Sequence, residues 1–207
     1  MGGCQVTARP FSFFVICANV AVVGAVLMGF EMLGSLYLIP YFGGGINTWV
    51  GLISVVLCGL AIGYLIGGTL VDRQASPRVV GIPVALAAAY LALVPPTADH
   101  ILHWVMDTLG YGAVAILFAS SILLLVPFSL LGILSPAAVR LLIRSTEESG
   151  RVAGVVYGLS TIGNVFGVLF TTFLLIPTIG VRPITYLYAV LLAACAVSLL
   201  TLSPTKV

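Results

Sequence analysis

The chain has 207 residues, of which 61% are hydrophobic and only 7% are charged, with a formal net charge of +2. A soluble domain carries roughly 25% charged residues, so this composition cannot cover a water-facing surface and excludes a soluble globular protein. The apolar residues come in blocks, and about 20 such residues are enough to cross the hydrocarbon layer of a bilayer as a helix.

Six apolar blocks predict an all-α integral membrane protein. A transmembrane barrel would instead alternate apolar and polar residues in segments of roughly 10 residues. We predict transmembrane helices at about 11–39, 49–71, 79–94, 113–134, 152–176 and 184–202, within one membrane domain that covers residues 1–207. The third helix is expected to stop before Pro95 and Pro96, because proline disfavours a helical conformation in the residue before it.

Glu31 is the acidic residue within the apolar part of the first helix. At 1.5 Å per residue it lies about 12 Å from the predicted outer end. An ionisable group at this depth is costly and by default indicates function. Because burial favours the neutral carboxyl, Glu31 is predicted to bind and release a proton near neutral pH. The alternative is a structural carboxyl that locks two helices together.

Glycine recurs every four residues on the second and fifth helices. Glycine at this spacing makes a flat groove that lets another helix approach closely, which matters because lipid supplies no hydrophobic drive for helix pairing. We therefore predict that these two helices are tightly packed through Gly59, Gly63 and Gly67 on the second and Gly150, Gly154, Gly158, Gly163 and Gly167 on the fifth.

The segment 95–112 is predicted to be an outer loop with a short interfacial helix, anchored by Trp104. Its Asp99, His100, His103 and Asp107 have spacings that would bring metal ligands onto one helical face. Solvated interfacial side chains explain the pattern better. We therefore predict no metal site, with His100, His103 and Asp107 as weak candidates only.

A polar stripe about 100° wide runs along the fifth helix. Polar side chains inside a membrane must face protein or water. Cavity lining and hydrogen bonding between helices explain the stripe equally well. It contains Tyr157, Ser160, Thr161, Asn164 and Thr171.

The positions of the basic residues predict the orientation of the chain. Lys and Arg are retained preferentially on the cytoplasmic side. With both termini inside, only Arg182 faces out, whereas the inner side holds Arg9, Arg73, Arg78, Arg140, Arg144, Arg151 and Lys206. We predict a multi-pass protein of the cell inner (plasma) membrane with both termini in the cytoplasm.

The stretch Gly67-Gly68-Thr69-Leu70-Val71-Asp72-Arg73, followed by Arg78, resembles the loop between the second and third helices of the major facilitator superfamily. In that family the aspartate and the basic residues tie the cytoplasmic ends of helices together. The resemblance assigns this role to Asp72, Arg73 and Arg78, with Gly68 as part of the motif.

A longer resemblance covers most of the chain and points to the membrane portion of the fused facilitator and spermidine synthase proteins. It implies half of a facilitator bundle with a 3+3 repeat, here without the aminopropyltransferase domain. It also implies a parallel homodimer, with Glu31 and the polar stripe near a shared cavity. The residues that carry it are Glu31, Pro40-Tyr41-Phe42-Gly43, Trp49, Gly63-Tyr64, Gly67-Gly68, Asp72-Arg73, Ser135-Pro136, Gly150, Gly154, Tyr157, Ser160-Thr161, Gly163-Asn164 and Gly167.

Two functional hypotheses follow. The first is a half-sized facilitator-like transporter for a small polar or cationic solute, with Glu31 available for proton coupling. The second is a non-transporting membrane subunit that anchors or positions a separate enzyme or membrane complex. The sequence has no nucleotide-binding βαβ unit, no phosphate loop and no nucleophile beside a base, so we expect no enzymatic activity, no cofactor and no nucleic-acid partner.

Overall fold

The computed structural model describes residues 10–73, 76–143 and 145–202. Within these ranges six helices are long and apolar enough to cross a membrane, as the composition predicts. The chain is therefore a multi-pass, all-α membrane protein. The helices are α1 (Pro10–Phe42), α2 (Ile46–Arg73), α3 (Pro77–Leu109), α4 (Ala113–Leu142), α5 (Ser149–Ile179) and α6 (Val181–Thr201).

The predicted end of the third helix at Val94 is wrong. Helix α3 continues through Pro95 and Pro96 to Leu109, so most of the predicted outer loop 95–112 is nearly half of a long helix that could span the membrane. The buried face of α3 also continues past the prolines, through Ala98, Leu102 and Val105. The buried contacts along this face stabilise the continuous helix and offset the cost of the two prolines.

The other helix bounds lie close to the predicted ones, except for the end of α4. Helices α1, α2, α5 and α6 begin and end within three residues of prediction. Helix α4 extends to Leu142 rather than to residue 134. Its last turns contain Arg140, and a search for uninterrupted apolar residues misses this part of the helix.

Helices α4 and α5 each contain one π-helical turn, at Ser121–Leu125 and Thr171–Leu175. Each turn lies just before a proline, Pro127 or Pro177. Proline has no N–H to donate, and its ring clashes with the carbonyl four residues earlier. A wider π-helical turn relieves the clash but leaves one carbonyl without its helical donor. On α4 the hydroxyl of Tyr90 from α3 donates to the carbonyl of Ile122.

The six helices pack in three main pairs: α1 with α5, α2 with α4, and α3 with α6. If α1, α2 and α3 are exchanged with α4, α5 and α6, respectively, the pair of α1 and α5 becomes the pair of α4 and α2. The pair of α3 and α6 stays the same. The secondary contacts of α1 with α6 and of α3 with α4 exchange in the same way. The packing therefore has the symmetry of a 3+3 repeat.

Helices α1 and α5 differ most in burial. In the most apolar stretch of α1, 56% of the residues are buried within the bundle, whereas the figure for α5 is 17%. Helix α1 is thus the centre of the bundle, and α5 exposes most of its surface.

Candidate functional site

Glu31 lies on α1, eleven residues or about 16 Å before the end of that helix. Its side chain is partly exposed. No hydrogen bond or ion pair joins it to any other residue that the structure describes. An acidic side chain is therefore held within an apolar helix without the compensating partner that buried charges normally have.

The neighbours of Glu31 on α1 show which way its side chain faces. Gly34, about 60° away around the helix, contacts Leu124 of α4. Gly24, about 20° away on the other side, contacts the backbone of Ser160 on α5 two turns deeper. Glu31 thus lies on the sector of α1 between its contacts with α4 and α5.

The structure does not gather the predicted polar stripe of α5 around Glu31. With its nitrogen oriented towards the nearby carbonyls, the Asn164 amide donates to Gly24 O at 2.8 Å and to Ser160 O at 3.2 Å. Gly24 precedes Glu31 by seven residues, so Asn164 lies about 10 Å from the depth of Glu31. Asn164 therefore joins α1 to α5.

The two ends of the stripe have different environments. Thr171 is buried, donates to Gly167 O and shares a hydrogen bond with the hydroxyl of Tyr188 on α6. Tyr157 and Thr161 are exposed, and Thr161 donates to Tyr157 O at 2.8 Å. The stripe is thus a packing element near Thr171 and an open polar surface near Tyr157.

Tyr157 shares its surroundings with an aromatic residue of α2. It lies close enough to Tyr64 for the two phenols to interact electrostatically. Both side chains are exposed, at 48% and 44% respectively. Helices α2 and α5 therefore present their tyrosines on one side of the bundle, at the end that holds Asp72 and Arg140.

The glycines of α2 lie against α4. A Cβ built on Gly63 would come within 2.4 Å of Ser129 O, and one on Gly67 within 2.7 Å of Ile133 O. A Cβ built on Gly59 would lie 3.0 Å from the Cβ of Phe128.

The glycines of α5 fall into two groups. A Cβ on Gly163 or Gly167 would come within 2.1 Å of a carbonyl oxygen of α1. Nothing in the described chain lies within 4 Å of a Cβ built on Gly154 or Gly158.

At the predicted cytoplasmic end, Asp72 forms an ion pair with Arg140 of α4, with Nε and Oδ1 3.4 Å apart. Both side chains are more than half exposed. Within the described part of the chain Arg73 and Arg78 form no ion pair, and Gly68 has open space around it. The predicted basic residues Arg9, Arg144 and Lys206 lie outside the described residues.

At the opposite end, Asp99 of α3 forms an ion pair with Arg182 of α6. The ring of His103 packs edge-on against Tyr41 of α1, with centroids 4.9 Å apart. His100, His103 and Asp107 lie on the surface of α3 with Asp99 and Trp104. In the ranges the structure describes, no three His, Cys, Asp or Glu side chains are placed to hold a metal ion.

Several polar contacts escaped prediction. They include the buried Tyr37 to Thr185 hydrogen bond of 3.1 Å and the Asn19 to Ser198 hydrogen bond of 2.9 Å, both between α1 and α6. The available signal was the presence of polar residues inside the first and sixth apolar blocks.

Comparison of the chain with models of protein families, with curated proteins and with solved structures gives no match.

Proposed function

We propose that this chain is a half-sized, facilitator-like transporter for a small polar or cationic solute, with proton coupling through Glu31. The observation that carries the proposal is the partly exposed carboxyl of Glu31 within α1, which pairs with no residue that the structure describes. A carboxyl that only locked two helices together would have a hydrogen-bond partner. An unpaired carboxyl is free to take a proton or to attract a cationic group.

The helix pairing supports a facilitator half-bundle. In the major facilitator superfamily each half is built from two inverted three-helix repeats, and substrate binds between halves near the membrane midplane. The exchange symmetry of the contacts in this chain agrees with such a repeat. The resemblance of the loop around Asp72 and of the longer residue set to facilitator proteins points the same way.

The exposed surface of α5 supports a homodimer in which each copy supplies one half. Tyr157 and Thr161 are exposed on a helix that could cross the membrane. Thr161 bonds within its own helix, but lipid offers no hydrogen-bond partner to the Tyr157 hydroxyl. Gly154 and Gly158 leave open space beside them for a close helix approach. A second copy on this surface would enclose a polar cleft between the two α1 helices.

Replacing Glu31 with Gln tests the proton role, because Gln keeps the size but cannot titrate. In proteoliposomes that contain a pH-sensitive dye, we expect small amines or polar solutes added under a pH gradient to drive proton movement. Glu31→Gln should reduce that movement about tenfold or more, which corresponds to about 1.4 kcal/mol per factor of ten. Glu147→Gln, at an exposed loop carboxyl, should leave it unchanged. Equal proton movement in the wild type and Glu31→Gln would remove the proton role.

A membrane subunit that anchors or assembles a separate enzyme or complex is the second candidate. The wide exposure of α5 suits a different protein as well as a second copy. Native mass measurement in mild detergent separates the two. A homodimer in which water-soluble reagents reach position 31 favours transport, and a dry monomer or a stable complex with another protein favours the subunit role.

A further inference from the structure

An open groove of about 460 Å³ runs along the junction of α3 and α6, on the outside of the bundle. Its walls are mainly alanine, including Ala85, Ala89 and Ala92 on α3 and Ala193 on α6, and Tyr186 lies at one end. The groove exists because α3 and α6 pack closely while these side chains end at Cβ. Nearly all of its lining is apolar, so it offers no partners to a polar solute.

The ion pair of Asp99 and Arg182 lies beyond the Tyr186 end of this groove, on the same two helices. Arg182 precedes Tyr186 by four residues, so it is on the same face of α6 and about 6 Å further out. Asp99 follows Ala92 by seven residues, or about 10 Å along α3, and its side chain reaches Arg182 of α6. The side chains of Arg182 and Asp99 are 58% and 47% exposed.

Each member of this pair keeps hydrogen-bonding capacity for a further ligand. A guanidinium has five N–H donors, and the contact with Asp99 engages one of its nitrogens. The Asp99 carboxylate has about four acceptor sites on its two oxygens, of which the contacts with Arg182 and with the Tyr41 hydroxyl engage two. An exposed anion site and an exposed cation site therefore adjoin at the end of an apolar channel.

We propose that this groove binds a phosphatidylethanolamine molecule. One acyl chain lies between α3 and α6, the phosphate bonds to Arg182, and the ammonium bonds to Asp99. Arginine matches phosphate geometry well, and an ammonium donates hydrogen bonds that a quaternary choline cannot. A glycerol headgroup brings no positive charge to Asp99.

The dimensions agree with an acyl chain of one leaflet. Half of the hydrocarbon core is about 15 Å thick, which corresponds to about ten helical residues. The groove extends from Tyr186 to Leu200 on α6, which is about 21 Å at 1.5 Å per residue, so an acyl chain of one leaflet fits within its length. The lipid site lies on a different surface from Glu31, so it does not depend on the proposed transport function.

Native mass spectrometry of the protein, after reconstitution in equal parts of phosphatidylethanolamine, phosphatidylcholine and phosphatidylglycerol, tests this site. We expect the wild type to retain one phosphatidylethanolamine about tenfold more often than either other lipid. Arg182→Gln and Asp99→Asn should each abolish the preference. Ala193→Phe fills the groove and should remove lipid retention, whereas Ala61→Phe, on the exposed surface of α2, should not.

Equal retention of the three lipids by the wild type would overturn the proposal, and so would unchanged retention in Ala193→Phe. Because Ala193 is exposed, a phenylalanine there should not disturb folding. If that variant nevertheless fails to fold, Ala89→Phe fills the groove from the α3 wall and gives the same decision.

Discussion

The two glycine series of α5 have the same four-residue spacing and opposite surroundings. Gly163 and Gly167 press against the backbone of α1 at Ala21 and Ala25, whereas Gly154 and Gly158 face open space. The difference comes from the neighbouring helix, because α1 offers small residues at the depth of the first pair. Glycine spacing therefore shows that a helix can be approached closely, and the matching residues on a second helix decide where that approach occurs.

The largest effect is expected for Gly163→Leu. A Cβ at this position would lie 2.1 Å from Ala21 O, and a backbone atom cannot move aside as a flexible side chain can. We expect a loss of about 3 kcal/mol or more in the free energy of unfolding, at the upper end of overpacking effects. Thermal unfolding in mild detergent measures it. An unfolding temperature equal to that of the wild type would contradict the close α1 to α5 contact.

A smaller effect separates the two threonines of α5. Thr171→Val removes a buried hydroxyl that shares a hydrogen bond with Tyr188, and should cost about 1 kcal/mol. Thr161→Val changes an exposed hydroxyl bonded only to its own helix and should stay within about 0.5 kcal/mol. The same unfolding measurement on both variants checks the difference. Equal losses would mean that Thr161 is covered in the folded protein.

The smallest effect on folding is expected for Gly154→Leu. Because nothing within 4 Å meets a Cβ there, the unfolding free energy of the single chain should change by less than about 0.5 kcal/mol. Under the proposed dimer, the same substitution should shift the native mass distribution from dimer towards monomer. A dimer that survives both Gly154→Leu and Gly158→Leu would exclude this face of α5 as the contact.

The number and type of helices follow from hydropathy alone, because hydrocarbon leaves a polypeptide few ways to satisfy its peptide groups. The end of α3 was missed because a proline pair stops most helices in water. In this chain the packed face through Ala98 and Leu102 outweighs the loss. Pro95 and Pro96 predicted the end of a helix, whereas α3 is continuous through both residues.

The helix pairs could not be predicted from any one helix. Gly63 and Gly167 mark close approaches, but only the three-dimensional arrangement shows that their partners are α4 and α1. The position of Glu31 within an apolar helix was readable from the sequence. Its lack of a partner among the described residues and its distance from Asn164 were not, because both depend on how α1 crosses α5.

The π-helical turn before Pro177 changes the directions in which the later side chains of α5 point. A wide turn takes up one residue more than an α-helical turn, so every later side chain is rotated by about 100° from its expected direction. A single helical wheel for α5 therefore shows the correct relative directions only for residues on the same side of Thr171–Leu175. Deleting one residue within that turn would realign the frames and redirect the outer end of the helix to a new set of neighbours.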